Sequence, residues 1–104
     1  MHATIRRYDG VNENRVAELT RKVNETLVPK LKELPGFGGY WLIDAGNGIF
    51  SSMSLFETTE QGKESTKLVA TWVRDEKLNE MIPNEPKITS GEVIVRSDRV
   101  LVAA

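Results

Sequence analysis

The sequence predicts an α+β domain whose elements follow the order β-α-β-β-α-β. Three observations predict it. A helical pattern of apolar residues fills residues 11–34, a strand pair joined by Gly46-Asn47-Gly48 fills residues 37–56, and a second helical pattern follows a capping signature at Thr58 and Gln61. At 104 residues the chain is one domain, 1–104, long enough for a core but with little surplus.

The first strand is short, Ala3 to Tyr8, and Asp9-Gly10 breaks it. From about Val11 to Leu34 the residues Val16, Leu19, Val23, Leu27, Leu31 and Leu34 recur at steps of three and four, which is one buried stripe of an amphipathic helix. Asn12 is its N-cap and Glu13 suits the positive end of the dipole. Pro29 lies inside the pattern and should kink it, because its ring meets the carbonyl of Glu25. Leu34-Pro35-Gly36 stops the helix.

Glycines on both sides of Asn47 supply the positive φ angles of a tight hairpin between Phe37–Ala45 and Ile49–Phe56. Parity sets the register. A three-residue loop places Ala45 opposite Ile49, Ile43 opposite Ser51 and Trp41 opposite Met53, so the large apolar side chains share a face. A two-residue turn would set Trp41 and Ile43 against serines. Trp41 and Met53 are therefore expected to face the helices. The other face carries Tyr40, Leu42, Phe50 and Phe56 beside Ser52, Ser54 and Asp44, which is too apolar for a wetted sheet.

Thr58 with Gln61 opens a second helix, Thr59 to about Leu78, with Ser65, Leu68, Val69, Trp72 and Val73 on its stripe. A proline-stiffened loop, Ile82 to Pro86, leads to a fourth strand from Ile88 to Arg96, with Val93 and Val95 on one face and Ile94 on the other. The tail after Arg99 is apolar and is expected to dock. This order is the split βαβ arrangement of ferredoxin-like folds: a four-stranded antiparallel sheet with two helices on one face. Its second strand lies at an edge, and an edge containing Tyr40-Trp41-Leu42-Ile43 needs cover. A homodimer supplies cover for that edge and for the second apolar face.

Composition excludes several functions. A net charge of -1 gives no footprint for nucleic acid or an anionic membrane. No apolar run approaches the roughly 20 residues of a membrane span. The start MHATIRRYDG lacks the apolar core of a signal peptide. With no cysteine there is no disulfide and no thiolate nucleophile or ligand. A cytoplasmic protein is expected.

With these elements in place, the chain resembles the dimeric α+β-barrel superfamily, in particular its antibiotic-biosynthesis-monooxygenase-like branch. The likeness is carried by the helix ending in Leu34-Pro35-Gly36-Phe37, the hairpin at Gly46-Asn47-Gly48, the junction Phe56-Glu57-Thr58-Thr59-Glu60 and Trp72, and spans about Thr4 to Arg96. It implies a homodimer whose sheets face each other, with a pocket in each subunit between helices and sheet. Relatives include cofactor-free oxygenases acting on phenolic polyketides, and haem-degrading enzymes with an Asn, Trp and His set. This chain has a single histidine, His2, far from the second helix. Haem ligation is therefore not expected, and neither is any other cofactor or metal.

A cofactor-free oxygenase needs a dry slot for a flat apolar or aromatic molecule and donors where anionic charge develops. Trp72 could wall such a slot and Tyr40 could hydrogen-bond a substrate oxygen, while Asn24 on the first helix is the nearest candidate for the Asn of the set that the resemblance implies. Trp41 and Met53 are candidate binding residues, and Arg96 or Arg6 could stabilise an anion. Each has a structural competitor. Trp72 and Trp41 fit a core, Tyr40 fits a dimer contact, and the arginines fit pairing with Glu92 or Asp44. A non-catalytic homodimer that binds a small molecule or only self-assembles is the alternative function.

Overall fold

A computed structural model describes residues 1–97. Strands β1 (His2–Tyr8), β2 (Phe37–Gly46), β3 (Ile49–Phe56) and β4 (Lys87–Glu92) form one antiparallel sheet in the order β2-β3-β1-β4. One face carries two helical rods. The first consists of α1 (Val16–Lys22), a π-helical segment Val23–Leu27 and α2 (Val28–Glu33), and the second is α3 (Thr59–Asp75). This is the expected ferredoxin-like arrangement, with β2 at an edge.

The local signals act as their chemistry dictates. The Asn12 side chain accepts the Asn14 N–H at 3.0 Å and caps a single 3-10 turn, Glu13–Arg15, that leads into α1. Pro29 has no N–H for the Glu25 carbonyl, and its ring would strike it. The chain answers with a π-turn, in which the Val28 N–H reaches back five residues to the Val23 carbonyl. The stripe therefore survives the proline, with Leu19, Val23, Leu27 and Leu31 all buried. Thr58 accepts the Gln61 N–H at 3.2 Å while Gln61 accepts the Thr58 N–H at 3.1 Å, which completes the capping box of α3.

Three expectations need correction. The hairpin turns in two residues, Asn47 and Gly48, at φ of 55° and 76°, and Gly46 pairs with Ile49. A bulge at Ala45 absorbs the odd residue, so Trp41 still faces Met53 and Ile43 still faces Ser51. The fourth strand ends at Glu92, not Arg96. Its neighbour β1 begins at His2, opposite Glu92, and just past it the Val93 N–H donates to the Met1 carbonyl at 2.9 Å. Ile94 and Val95 are exposed. The tail from Val100 to Ala104 lies outside the described residues.

The third correction concerns cover. Parity groups the strand residues correctly, but the helices sit on the other group. Tyr8, Phe50 and Phe56 are buried beneath them with Thr4, Arg6, Ser52 and Ser54, and Tyr40 and Leu42 pack against that core. Trp41 and Ile43, at 46% and 54% exposure, lie on the open face with Ile5 and Met53. The reason lies on α3. Its first half is buried through Gly62 and Ser65, which suit the polar strand residues Thr4 and Ser54, while its second half is buried through Val69 and Trp72.

Candidate functional site

A cavity of about 390 Å³ opens between α3, the strands β1 and β4, and the loop of residues 79–86. Val69, Ala70 and Val73 enter it from α3, Ile82 from the loop and Ile88 from β4. From β1 come Arg6 and Tyr8, two residues apart and hence on one face of the strand. The loop is held as a wall by buried anchors, Leu78 and Met81, and by two bonds to the segment after β1. Asn12 N–H donates to the Met81 carbonyl at 2.9 Å, and the Asn84 side chain donates to the Asp9 carbonyl at 3.1 Å.

Arg6 is the unusual member. It is 1% exposed, beneath α3. Its guanidinium donates to Thr66 Oγ1 at 2.8 Å, to Ser54 Oγ at 3.3 Å and, weakly, to Ser65 Oγ at 3.5 Å. Ser65 and Thr66 themselves donate to the Gly62 carbonyl, at 2.6 and 3.3 Å, so they meet Arg6 with lone pairs. No carboxylate lies within ion-pair distance of Arg6 among the described residues, and its Nε–H is buried without an acceptor. Burial pulls the guanidinium below its ordinary pKa, partly opposed by the nearby phenols of Tyr8 and Tyr40. Those phenols move the other way. Burial raises the pKa of Tyr8, with Arg6 opposing, and pushes that of Tyr40 up to about 12, with Tyr8 adding to the rise and Ser52 and Arg6 opposing.

The sequence candidates fall in different places. Trp72 is buried and spends its Nε1–H on Thr26 Oγ1 at 2.7 Å. With Tyr40 it lines a second, nearly filled space of about 20 Å³, which shares Tyr8, Val69, Val73 and Ile82 with the larger cavity. Asn24 is exposed on the π-turn, and the residue that turn presents to Trp72 is Thr26. Trp41 and Met53, expected against the helices, are on the far face of the sheet from both spaces. Arg96 lines neither, and its Nη1 lies 3.0 Å from Met1 Sδ. The structure thus joins Trp72 and Tyr40 and separates them from Asn24, Trp41, Met53 and Arg96. Tyr8, Thr66 and Thr26 were not among the sequence candidates. The shared parity of Arg6 and Tyr8 was the available signal.

His2, expected far from the second helix, is part of β1 and packs against that helix. It is buried against Gly62, where a Cβ would come within 2.6 Å of its Cδ2, and its Nδ1 lies 3.5 Å from Thr59 Oγ1. It lines neither space, and the residues around them include no histidine, cysteine or methionine, so they do not fit the usual axial ligation of a haem iron. Among the described residues no cluster of carboxylate and imidazole groups could hold a metal ion, and no helix is long and apolar enough to cross a membrane.

No family model and no curated sequence matches the chain. Solved structures do. A Nitrosomonas europaea protein of unknown function superposes with a TM-score of 0.73 at 14% identity, over 95% of this chain and 94% of that one. A candidate antibiotic biosynthesis monooxygenase from the same organism gives 0.70 at 12% identity, over 91% and 100%. The haem degrader MhuD from Mycobacterium tuberculosis, with two haems in its active site, gives 0.71 at 15%, over 94% and 100%. At such identities the likeness is one of fold. The chain is thus built on the fold of the antibiotic-biosynthesis-monooxygenase-like proteins, as its sequence motifs imply.

Proposed function

We propose that the chain is a homodimeric oxygenase of the antibiotic-biosynthesis-monooxygenase-like kind, taking a small aromatic or polyketide-like molecule into the cavity between α3 and the sheet without a cofactor. The observation that carries this reading is the cavity itself, about 390 Å³, lined by apolar side chains of α3, the loop and β4 together with Arg6 and Tyr8 of β1. That volume suits a drug-sized ring system, and the mixture of apolar walls and few polar groups is what orients one. Trp72 and Tyr40 lie one layer further in, behind Tyr8, Val69, Val73 and Ile82, which line both spaces. An activated methylene beside a phenolic ring loses a proton, and the carbanion passes one electron to O2. The radical pair joins as a peroxide anion, which takes the proton back to become a hydroperoxide and eliminates water. A CH2 and O2 become C=O and H2O, and no electron from outside is needed. The chain contributes a dry wall and positive potential near the developing anion.

Dihydroxyanthrone is a suitable probe, with oxygen uptake measured against its spontaneous oxidation. Saturable uptake of one O2 per substrate is expected, falling roughly tenfold or more in Tyr40→Phe and Trp72→Phe while each variant stays folded. Full turnover in both variants overturns the assigned roles. Binding with no uptake above the spontaneous rate favours a second reading, a non-catalytic homodimer that binds the molecule. That reading has its own support, since the space that Trp72 shares with Tyr40 is only about 20 Å³ and the indole N–H is already engaged.

A further inference from the structure

We propose that the cavity is an anion-selective site, in which Arg6 receives the carboxylate or acidic oxygen of a flat organic monoanion. The inference rests on the reading of the cavity as a small-molecule site and adds the charge of the molecule.

A guanidinium does not shed its proton in a protein, so a buried arginine brings its whole charge inside. Buried arginines are normally paired with carboxylates, because desolvated charge otherwise stands uncompensated. Arg6 has hydroxyls instead. Nη2 is used by Thr66 and, at the limit of range, by Ser65. Nη1 gives one N–H to Ser54. Five N–H groups are available to a guanidinium, and the Nε–H is among those left, buried and unanswered. Fastening β1 to α3 would not require this charge, since a neutral amide could bind the same hydroxyls at a smaller desolvation cost.

The surroundings give the charge a use. Arg6 forms part of the wall of the 390 Å³ cavity beside its ladder partner Ile88, and Val69, Val73 and Ile82 line the same space. At the rim Arg74 and Glu85 oppose each other in sign, and both are exposed. The inner wall is left positive, and Glu85 makes no ion pair with Arg6. A carboxylate placed there would gain charge-assisted bonds in a desolvated setting, while its ring displaced water from the apolar side.

The test uses the full-length protein at neutral pH with two probes of one shape, naphthalene carboxylate and its neutral carboxamide. Titration calorimetry should show the carboxylate binding roughly tenfold or more tightly than the amide, as a charge-assisted bond implies. In Arg6→Met that preference should vanish while the amide's affinity is kept. A readout needing no substitution is the Arg6 Nε–H resonance in nitrogen-15-labelled protein, which should move downfield with the carboxylate and not with the amide. Equal affinities for the two probes, with an unmoved Nε–H, overturn anion selectivity and leave the cavity as a neutral apolar site. Binding of neither overturns the small-molecule reading and this inference with it.

Discussion

Arg6 and the phenols near it make the interior of this small sheet sensitive to charge, and three substitutions can measure that. Removing the guanidinium in Arg6→Met takes away a desolvated cation with no carboxylate within ion-pair distance among the described residues, while Ser65 and Thr66 keep their bonds to the Gly62 carbonyl. Urea unfolding should therefore show a variant as stable as the parent or more stable, by up to about 2 kcal/mol; a loss of that size would mean that the hydroxyl contacts outweigh the desolvation. Tyr40 acts at alkaline pH. Its native pKa of about 12 lies above the unfolded value near 10, so the native state holds its proton longer. The stabilisation is complete below the unfolded value and is lost as pH rises through the native one, at most about 2–3 kcal/mol for a shift of this size. Stability should decline between roughly pH 10 and 12, and Tyr40→Phe should flatten that decline. The indole of Trp72 offers the third measurement. Trp72→Phe leaves Thr26 without its buried donor, at a cost of about 1–2 kcal/mol, and a cycle with Thr26→Val should show the two residues coupled. Helical spacing placed Trp72 on a buried stripe. Its partner was beyond reach of the sequence, because Thr26 faces Trp72 only through the π-turn that Pro29 imposes.

At the scale of elements, local chemistry was legible wherever one residue type answers one backbone demand. Asn12, Thr58 with Gln61, and Pro35-Gly36 act where they were read, because a cap or a stop depends on a few neighbours. The hairpin was read one step short. Three residues with positive φ, Gly46, Asn47 and Gly48, fit either a three-residue loop or a two-residue turn with a bulge, and the chain takes the second. Both keep Trp41 opposite Met53, so side-chain pairing could not tell them apart. The two glycines nevertheless differ. A Cβ on Gly48 would sit 2.9 Å from the Val11 carbonyl oxygen, in the segment whose N–H bonds the Gly48 carbonyl at 3.0 Å, whereas a Cβ on Gly46 meets nothing within 4 Å. Gly46→Ala should cost only the left-handed backbone, about 1–2 kcal/mol. Gly48→Ala should cost visibly more and loosen the contact between the hairpin and the loop after β1. Thermal unfolding of the two variants side by side gives the comparison, and equal losses would mean that the Val11 contact contributes nothing.

For the whole molecule, period-two parity told which residues share a sheet face but not which face the helices choose. The choice turns on α3, whose buried Gly62 and Ser65 suit Ser54 on β3 and, more than fifty positions away, Thr4 and Arg6 on β1. With the faces exchanged, the sheet has the greater need of a partner. The uncovered face now carries the cross-strand row Trp41–Met53–Ile5, flanked by Ile43, and three of these four side chains are more than 40% exposed. On an isolated subunit these neighbours would form a contiguous apolar patch of the kind that marks an interface. Two sheets packed face to face through this row would bury it, and a stable interface needs about 800 Å² from each partner. Trp41, large and central on an edge strand, has the character of a hot spot. Trp41→Glu should weaken association by about 2 kcal/mol or more, roughly thirtyfold in Kd, and Ile5→Lys should act in the same direction. The cavity lies on the opposite side of the sheet, so probe binding by the separated subunits should change far less than their association does. Sedimentation velocity over a dilution series measures the first effect and titration calorimetry the second. A parent chain that sediments as a monomer at micromolar concentration would remove the homodimer from the proposed function and leave the row as exposed apolar surface without a partner.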